Sequence, residues 1–144
     1  MLHFRKFAKE DFSWYASWFR DEEMATFLGE VDQEWLASVL SGEEGMELVV
    51  MQDGIVVGEV GIVYATADHP YHVISNVAVN PANRNKGIGL QLLREIVLLP
   101  ELGGKEIRAY LSKNNGSAIR VFRRAGWKDG TEEGGMLTFC WTGE

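Results

Sequence analysis

The sequence predicts an α/β fold built on a mixed sheet, and three observations carry that prediction. Segments of alternating and of helical spacing follow one another in the order strand, short helices, hairpin, strand, helix, strand, helix, hairpin. Asp53-Gly54 lies between two β-branched runs, the strongest short-range signal for a two-residue hairpin. The apolar run Val77-Ala78-Val79 ends in Asn80-Pro81, and a polar loop with Arg84, Lys86, Gly87 and Gly89 then enters a segment with helical spacing.

In chain order, residues 2–7 alternate and read as a short strand. Glu10 and Asp11 suit a helix start, with Phe12, Tyr15, Trp18 and Phe19 at helical spacing behind them. Asp21-Glu22-Glu23 opens a second short helix holding Met24, Phe27 and Leu28, which Gly29 is expected to end. A third runs over 32–40 with Trp35, Leu36, Val39 and Leu40 on one face. Aromatic side chains on these helices are read as core. Strands are expected over 47–52 and 55–64, a turn-rich loop over 65–70, and over 71–79 a strand apolar enough to be central. Residues 90–99 form an amphipathic helix that Pro100 and Gly103-Gly104 interrupt. A strand over 105–112, a helix marked by Ala118, Ile119, Val121 and Phe122 and stopped by Gly126, and a hairpin ending at Trp141 complete the pattern. No repeat, low-complexity segment or linker breaks it, so residues 1–144 are expected to form a single domain.

The 46% hydrophobic and 24% charged composition is that of a globular protein, and a net charge of −7 argues against non-specific nucleic-acid binding. Neither a leader pattern at Met1-Leu2-His3-Phe4-Arg5-Lys6 nor an apolar run of the ~18 residues a membrane span needs is read. One cysteine, Cys140, cannot form an internal disulfide and fits a reducing, cytoplasmic setting. Acidic residues crowd the first third, whereas basic ones gather between Arg84 and Arg124. That asymmetry fits a cationic substrate on one side and an anionic cofactor on the other, or simply an unevenly charged surface.

The stretch Val77–Leu90 carries the most chemistry. A helix that begins at glycines points several free backbone N–H groups outward and carries about half a positive charge, which suits a pyrophosphate. Gly87 and Gly89 lack a Cβ and let a ligand approach the backbone. A dinucleotide fingerprint does not fit, because only two glycines are present and a loop with Pro81 separates them from the strand.

These residues resemble the GNAT superfamily of acyl-CoA-dependent N-acetyltransferases. The strand Val77-Ala78-Val79 with Asn80-Pro81, the signature Arg84-x-x-Gly87-x-Gly89, and Asn115-x-x-Ala118-Ile119-x-x-Phe122-x-x-x-Gly126-Trp127 are similar to that family's motifs in order and spacing, and Asp53-Gly54-x-x-x-Gly58 falls where its hairpin lies. The resemblance covers nearly the whole chain. It implies a mostly antiparallel sheet of about 6–7 strands flanked by helices, with a splayed parallel pair around the coenzyme A site. It also implies acetyl-CoA as co-substrate, no metal, and a primary amine of a small molecule or a protein N-terminus as acceptor. Val77, Ala78 and Val79 would pair with the pantetheine arm. Asn85, Lys86, Gly87, Ile88, Gly89 and Leu90 would hold the pyrophosphate, with Arg84 or Lys86 adding charge, and Asn115 would hydrogen-bond the cofactor near its thioester. No nucleic-acid or membrane partner is expected. The terminal hairpin with Phe139 and Trp141 is read either as a homodimer interface or as packed on its own domain.

Bringing an amine of pKa ~10.4 to its neutral form at neutral pH costs about 4.6 kcal/mol, so a base or a desolvating site matters. The sequence departs from the family pattern here. The usual tyrosine acid is Phe122, the carboxylate position before Asn115 holds Tyr110, and another falls near Val73. Three substitutes are read as catalytic candidates. Glu59 is a carboxylate inside an apolar strand, His72 opens the central strand, and Tyr110 carries a phenol. Edge exposure, an ion pair or a core phenol with a partner would account for each without catalysis. Without those groups, a non-catalytic acyl-CoA sensor is the alternative to an N-acetyltransferase.

Overall fold

The computed structural model describes residues 1–143. Strand β1 (His3–Lys6) leads through a 3-10 turn into α1 (Phe12–Trp18), α2 (Glu22–Phe27) and α3 (Gln33–Ser41). The hairpin β2 (Gly45–Gln52) and β3 (Ile55–Val63) precedes β4 (His72–Val79), α4 (Ile88–Ile96), β5 (Ile107–Ser112), α5 (Gly116–Arg124) and the hairpin β6 (Lys128–Glu133) and β7 (Met136–Trp141). All seven strands form one sheet in the order β1-β2-β3-β4-β5-β7-β6, antiparallel except for the parallel pair β4–β5. Among the described residues, no helix is long and apolar enough to cross a membrane.

Local chemistry explains the elements. Asp53 and Gly54 both take positive φ, 52° and 79°, as a two-residue turn matched to the twist of its strands requires. Asp21 and Asp32 cap α2 and α3 by accepting from the N–H groups of Met24 and Trp35. The second helix stops before the glycine expected to end it. Leu28 already turns extended, at φ −118° and ψ 143°, and packs its side chain against the apolar cluster beneath. Asp11 does more than start a helix. Its buried carboxylate accepts two hydrogen bonds from Arg5, at 2.8 Å each, and others from Ala8 N–H and Trp14 Nε1, tying β1 to α1.

The sheet has a core on each face. Helices α4 and α5 cover one, where Leu92, Leu93 and Ile96 pack on Val50, Val60 and Ile74. Helices α1 to α3 cover the other, where Tyr15, Trp18, Met24 and Leu36 meet Val49 and Ala78. Phe139 is fully buried in the first core, and Trp141 is half-buried against Trp127. The outer strand β6 is exposed throughout and carries charged side chains, which discourage further strand pairing.

Two irregularities prepare the site. Val50 pairs with Gly58 but Met51 with Val56, which leaves Val57 without an opposite residue. Likewise Gly61 pairs with Asn76 and Ile62 with Ile74, leaving Ser75 as the extra residue of β4. The parallel pairing with β5 covers only His72, Val73 and Ile74. Beyond Ile74 the two strands part.

Candidate active site

The cofactor-type residues lie along the parted half of β4 and the loop that follows it. Asn80 closes the strand by accepting from Ala82 N–H at 3.0 Å and donating its Nδ2 to the Val56 carbonyl at 2.9 Å. Asn85 and Gly87 take left-handed backbone conformations, φ 62° and 79°, and Gly87 begins α4 with no side chain capping the helix. A Cβ at Gly87 would meet nothing within 4 Å, so the space above this helix start is open. Val77, Ala78 and Val79 have β3 on one side and, among the described residues, no strand on the other. An extended ligand with amide groups could take that place by strand addition.

The charged and polar residues of this region divide. Lys86 is exposed and has no ion-pair partner among the described residues. Arg84 instead makes a bidentate pair with Asp21 at 2.9 and 2.7 Å and reaches Glu23 at 3.3 Å. Its guanidinium therefore links the glycine loop to the acidic start of α2, and part of the charge asymmetry in the sequence cancels internally. The Asn115 Oδ1 accepts from Ala118 N–H at 3.3 Å as the cap of α5, which leaves its amide NH2 available.

The three catalytic candidates fare differently. His72 is buried, its Nδ1 accepting from Ala65 N–H at 3.0 Å and its Nε2 donating to the Leu102 carbonyl at 3.1 Å. Both ring nitrogens are in use, and the residue lies five positions before Val77, about 16 Å along the strand. It pins the start of β4 to the turn after α4. Tyr110 stands one residue beyond Ala109, the last β5 residue paired to β4, and is 43% exposed. Burial, then its hydrogen bond with Tyr71, raises its phenol above the ordinary value, while Arg108, stacked 3.7 Å over the Tyr71 ring, works in the opposite direction.

Glu59 is fully buried beneath α1, and it has company. Its Oε1 accepts from Asn76 Nδ2, and the Tyr15 hydroxyl shares this network. Glu47, on β2, leans over Gly61 to the same point. A Cβ at Gly61 would collide with both the Glu47 carboxylate and the Asn76 amide, so glycine keeps that space for them. The carboxyls of Glu47 and Glu59 face each other, and the buried Oε2 of each has no other hydrogen-bond partner among the described residues. Two facing carboxyls can bond only if one keeps a proton. Burial pushes Glu47 up to about 7, and burial together with the Glu47 charge raises Glu59 well above the carboxylate range. Tyr15, Glu47 and Asn76 were not among the sequence candidates. Glu47 also lines a groove of about 190 Å³ with Trp35, Ser38, Val39, Glu44 and Ser75. Ser75, the extra residue of β4, is the one lining residue from that strand and follows Ile74, where the pairing with β5 ends.

Phe122, at the position of the family's tyrosine, is 4% exposed and packs on Trp127 and Phe139 with ring centroids 5.1 and 5.7 Å away. It is a core residue with no proton to donate. Among the described residues, no cluster of His, Cys, Asp or Glu is arranged to hold a metal ion.

The parted parallel pair and the uncapped glycine-led helix start lie where the sequence motifs placed them. The chain belongs to the acetyltransferase (GNAT) family of enzymes, whose family model matches residues 6–127. It is 35% identical over 98 residues to a mycothiol acetyltransferase of Nocardia farcinica, a match covering 66% of this chain but only 31% of that protein. Its fold is similar to that of the aminoglycoside acetyltransferase AAC(6')-Ib in complex with coenzyme A and kanamycin, with TM-score 0.82, 20% identity and coverage of 99% of this chain and 95% of that one. The spermidine N-acetyltransferase of Vibrio cholerae with CoA and spermine shares it at TM-score 0.79 and 12% identity, over 97% and 94% of the two chains. The N-acetyltransferase PseH of Campylobacter jejuni with acetyl coenzyme A shares it at TM-score 0.76 and 15% identity, over the full length of both.

Proposed function

We propose that residues 1–144 form one N-acetyltransferase domain that moves an acetyl group from acetyl-CoA to a primary amine of a small cationic molecule. The observation that carries this reading is the open helix start behind Gly87, set beside the unpaired side of β4. The N–H groups of Gly87, Ile88, Gly89 and Leu90 would hold the pyrophosphate with Lys86, and the backbone of Val77 to Val79 would hold the pantetheine amides. Asn115 would use its free NH2 near the thioester. The co-substrate supplies an activated acetyl group. The protein contributes position and exclusion of water, and effective molarity alone can carry much of the rate.

The amine side rests on the acidic character of the face under α1 to α3 and on relatives whose structures hold kanamycin or spermine. A protein N-terminus is the second acceptor class, and the groove lined by Trp35 and Glu44 favours a small molecule by its size. Phe122 is the one observation that favours a non-catalytic acyl-CoA sensor, because no phenol stands at that position to protonate the thiolate. Thiol release from acetyl-CoA with a panel of polyamines, aminoglycosides and peptides separates the two. Amine-dependent release supports the enzyme. Tight CoA binding with no release from any amine would leave only the sensor.

A further inference from the structure

We propose that Glu47 is the general base of this site and that Glu59 is the positioning residue that tunes it. The inference rests on the acetyltransferase reading above and names the proton acceptor that reading lacks.

Three observations on residues of four elements lead to it. Glu47 is the carboxylate of the buried network that also lines the groove, so a ligand entering beside Ser75 meets it first. Glu59, with no exposed surface, lies behind it and cannot touch a ligand. Both carboxyls keep an oxygen with no donor among the described residues, although the Asn76 amide and the Tyr15 hydroxyl satisfy the rest of the network. The Glu47 Oε2 is closed off from solvent and faces inward, whereas its Oε1 has no hydrogen-bond partner among the described residues and is not closed off, so an ammonium group in the groove would donate to Oε1.

The assignment of protons follows from burial. Glu59 is deeper, and desolvation disfavours its charge more, so it keeps the proton and donates it to Glu47. Glu47 then carries the negative charge. Its surroundings hold it up to about 7, where a base both accepts a proton readily and is ionised at neutral pH. The neighbouring groups do not cancel that charge. Tyr15 on α1 is a neutral phenol, Asn76 on β4 is uncharged, Glu44 in the groove is acidic, and Arg5 on β1 is committed to Asp11. The groove residues from α3 are Trp35, Ser38 and Val39, none of them charged.

The chemistry balances. The bound ammonium gives one proton to the Glu47 carboxylate and becomes a neutral amine. Its lone pair forms the N–C bond to the thioester carbonyl carbon, the C–S bond breaks, and its electron pair leaves on sulfur. The second N–H proton passes to that thiolate, giving amide and thiol, while Glu47 returns its proton to water.

The test is the pH profile of kcat/KM for an accepted polyamine, with CoA affinity as the measure of an intact fold. Wild type should rise to a plateau near neutrality. Glu47→Gln should lose about 100-fold or more at neutral pH and climb without a plateau toward the amine's own pKa, with CoA affinity unchanged. Glu59→Gln should keep the wild-type plateau, because its amide offers one acceptor and one donor just as a protonated carboxyl does. Glu59→Leu removes that donor and should move the plateau to higher pH. If Glu47→Gln does not fold, Glu59→Leu decides, and an unmoved plateau there overturns the assignment. An unchanged profile for a folded Glu47→Gln overturns it as well, while wild-type turnover keeps the acetyltransferase reading. A wild type that turns over no amine overturns both.

Discussion

The two faces of β4 do different work by different means. Toward α4 and the glycine loop, the site consists of backbone: N–H groups at an uncapped helix start, a strand edge left unpaired beyond Ile74, and glycines that leave room. Toward α1 to α3 it consists of side chains from four elements, Tyr15, Glu47, Glu59 and Asn76, held by burial and by one another. A backbone site tolerates many sequences provided the glycines and the strand end survive. A side-chain network of buried carboxyls does not, since one lost partner leaves a desolvated charge. The family resemblance is accordingly clear on the first side and broken on the second.

The strongest way to break this division is Gly61→Ala. The added methyl lands on the Glu47 carboxylate and the Asn76 amide, so stability should fall by about 1 to 3 kcal/mol and turnover by about tenfold or more. CoA binding should stay within about twofold, because Gly61 touches nothing on the cofactor side. Thermal denaturation and calorimetric titration check the two halves separately.

Replacing His72 with Phe probes whether a buried polar residue on β4 belongs to the chemistry or to the scaffold. It strands the Ala65 N–H and the Leu102 carbonyl, and denaturant unfolding should show a loss of about 1 to 3 kcal/mol. The shape of the pH–rate profile should not move.

Stability should also respond to pH in an unusual direction. Glu47 and Glu59 hold protons more tightly in the fold than in the unfolded chain, because burial raises both. The native state therefore binds more protons than the unfolded one between the ordinary glutamate value and the raised ones. Stability is greatest on the acid side of that window and falls as pH rises through about 7. In Glu59→Gln one of the two groups no longer titrates. Between about pH 5 and about pH 8 the melting temperature of wild type should drop by about 3 °C or more beyond that of the variant.

The smallest effect separates the two basic residues of the glycine loop. Lys86→Ala should weaken CoA binding several-fold and flatten its salt dependence, whereas Arg84→Ala should change it less, since Arg84 is held by Asp21 and Glu23. Equal losses would mean that Arg84 leaves Asp21 for the cofactor.

Much of this was legible in the residues. Asp53-Gly54, the helix starts at Asp21 and Asp32, the glycine loop and the element order act locally, within a few positions of the chain, and the structure has them within a residue of where the sequence puts them. The acidic network was not legible, and the bulge at Val57 shows why. A hairpin counted straight back from Asp53-Gly54 sets Glu47 opposite Val60, which turns Glu47 and Glu59 to opposite faces. With Val57 unpaired, Glu47 falls opposite Gly61 and both carboxylates point under α1. The extra residue Ser75 does the same for Asn76. Neither bulge is marked by a local residue preference, so Glu59 could be singled out by its setting while its partners could not. His72 was singled out by residue type alone, and only the fold supplies the two backbone groups that occupy both of its ring nitrogens.

The division between a backbone-built cofactor side and a side-chain-built amine side is tested most directly by calorimetric titration of CoA into Gly87→Glu and Glu47→Gln. A carboxylate placed at the start of α4 should abolish binding, and Glu47→Gln should bind CoA as wild type does while acetylating no faster than about a hundredth of its rate. Unchanged CoA affinity in Gly87→Glu, or a loss in Glu47→Gln as large as that in Gly87→Glu, would contradict the account.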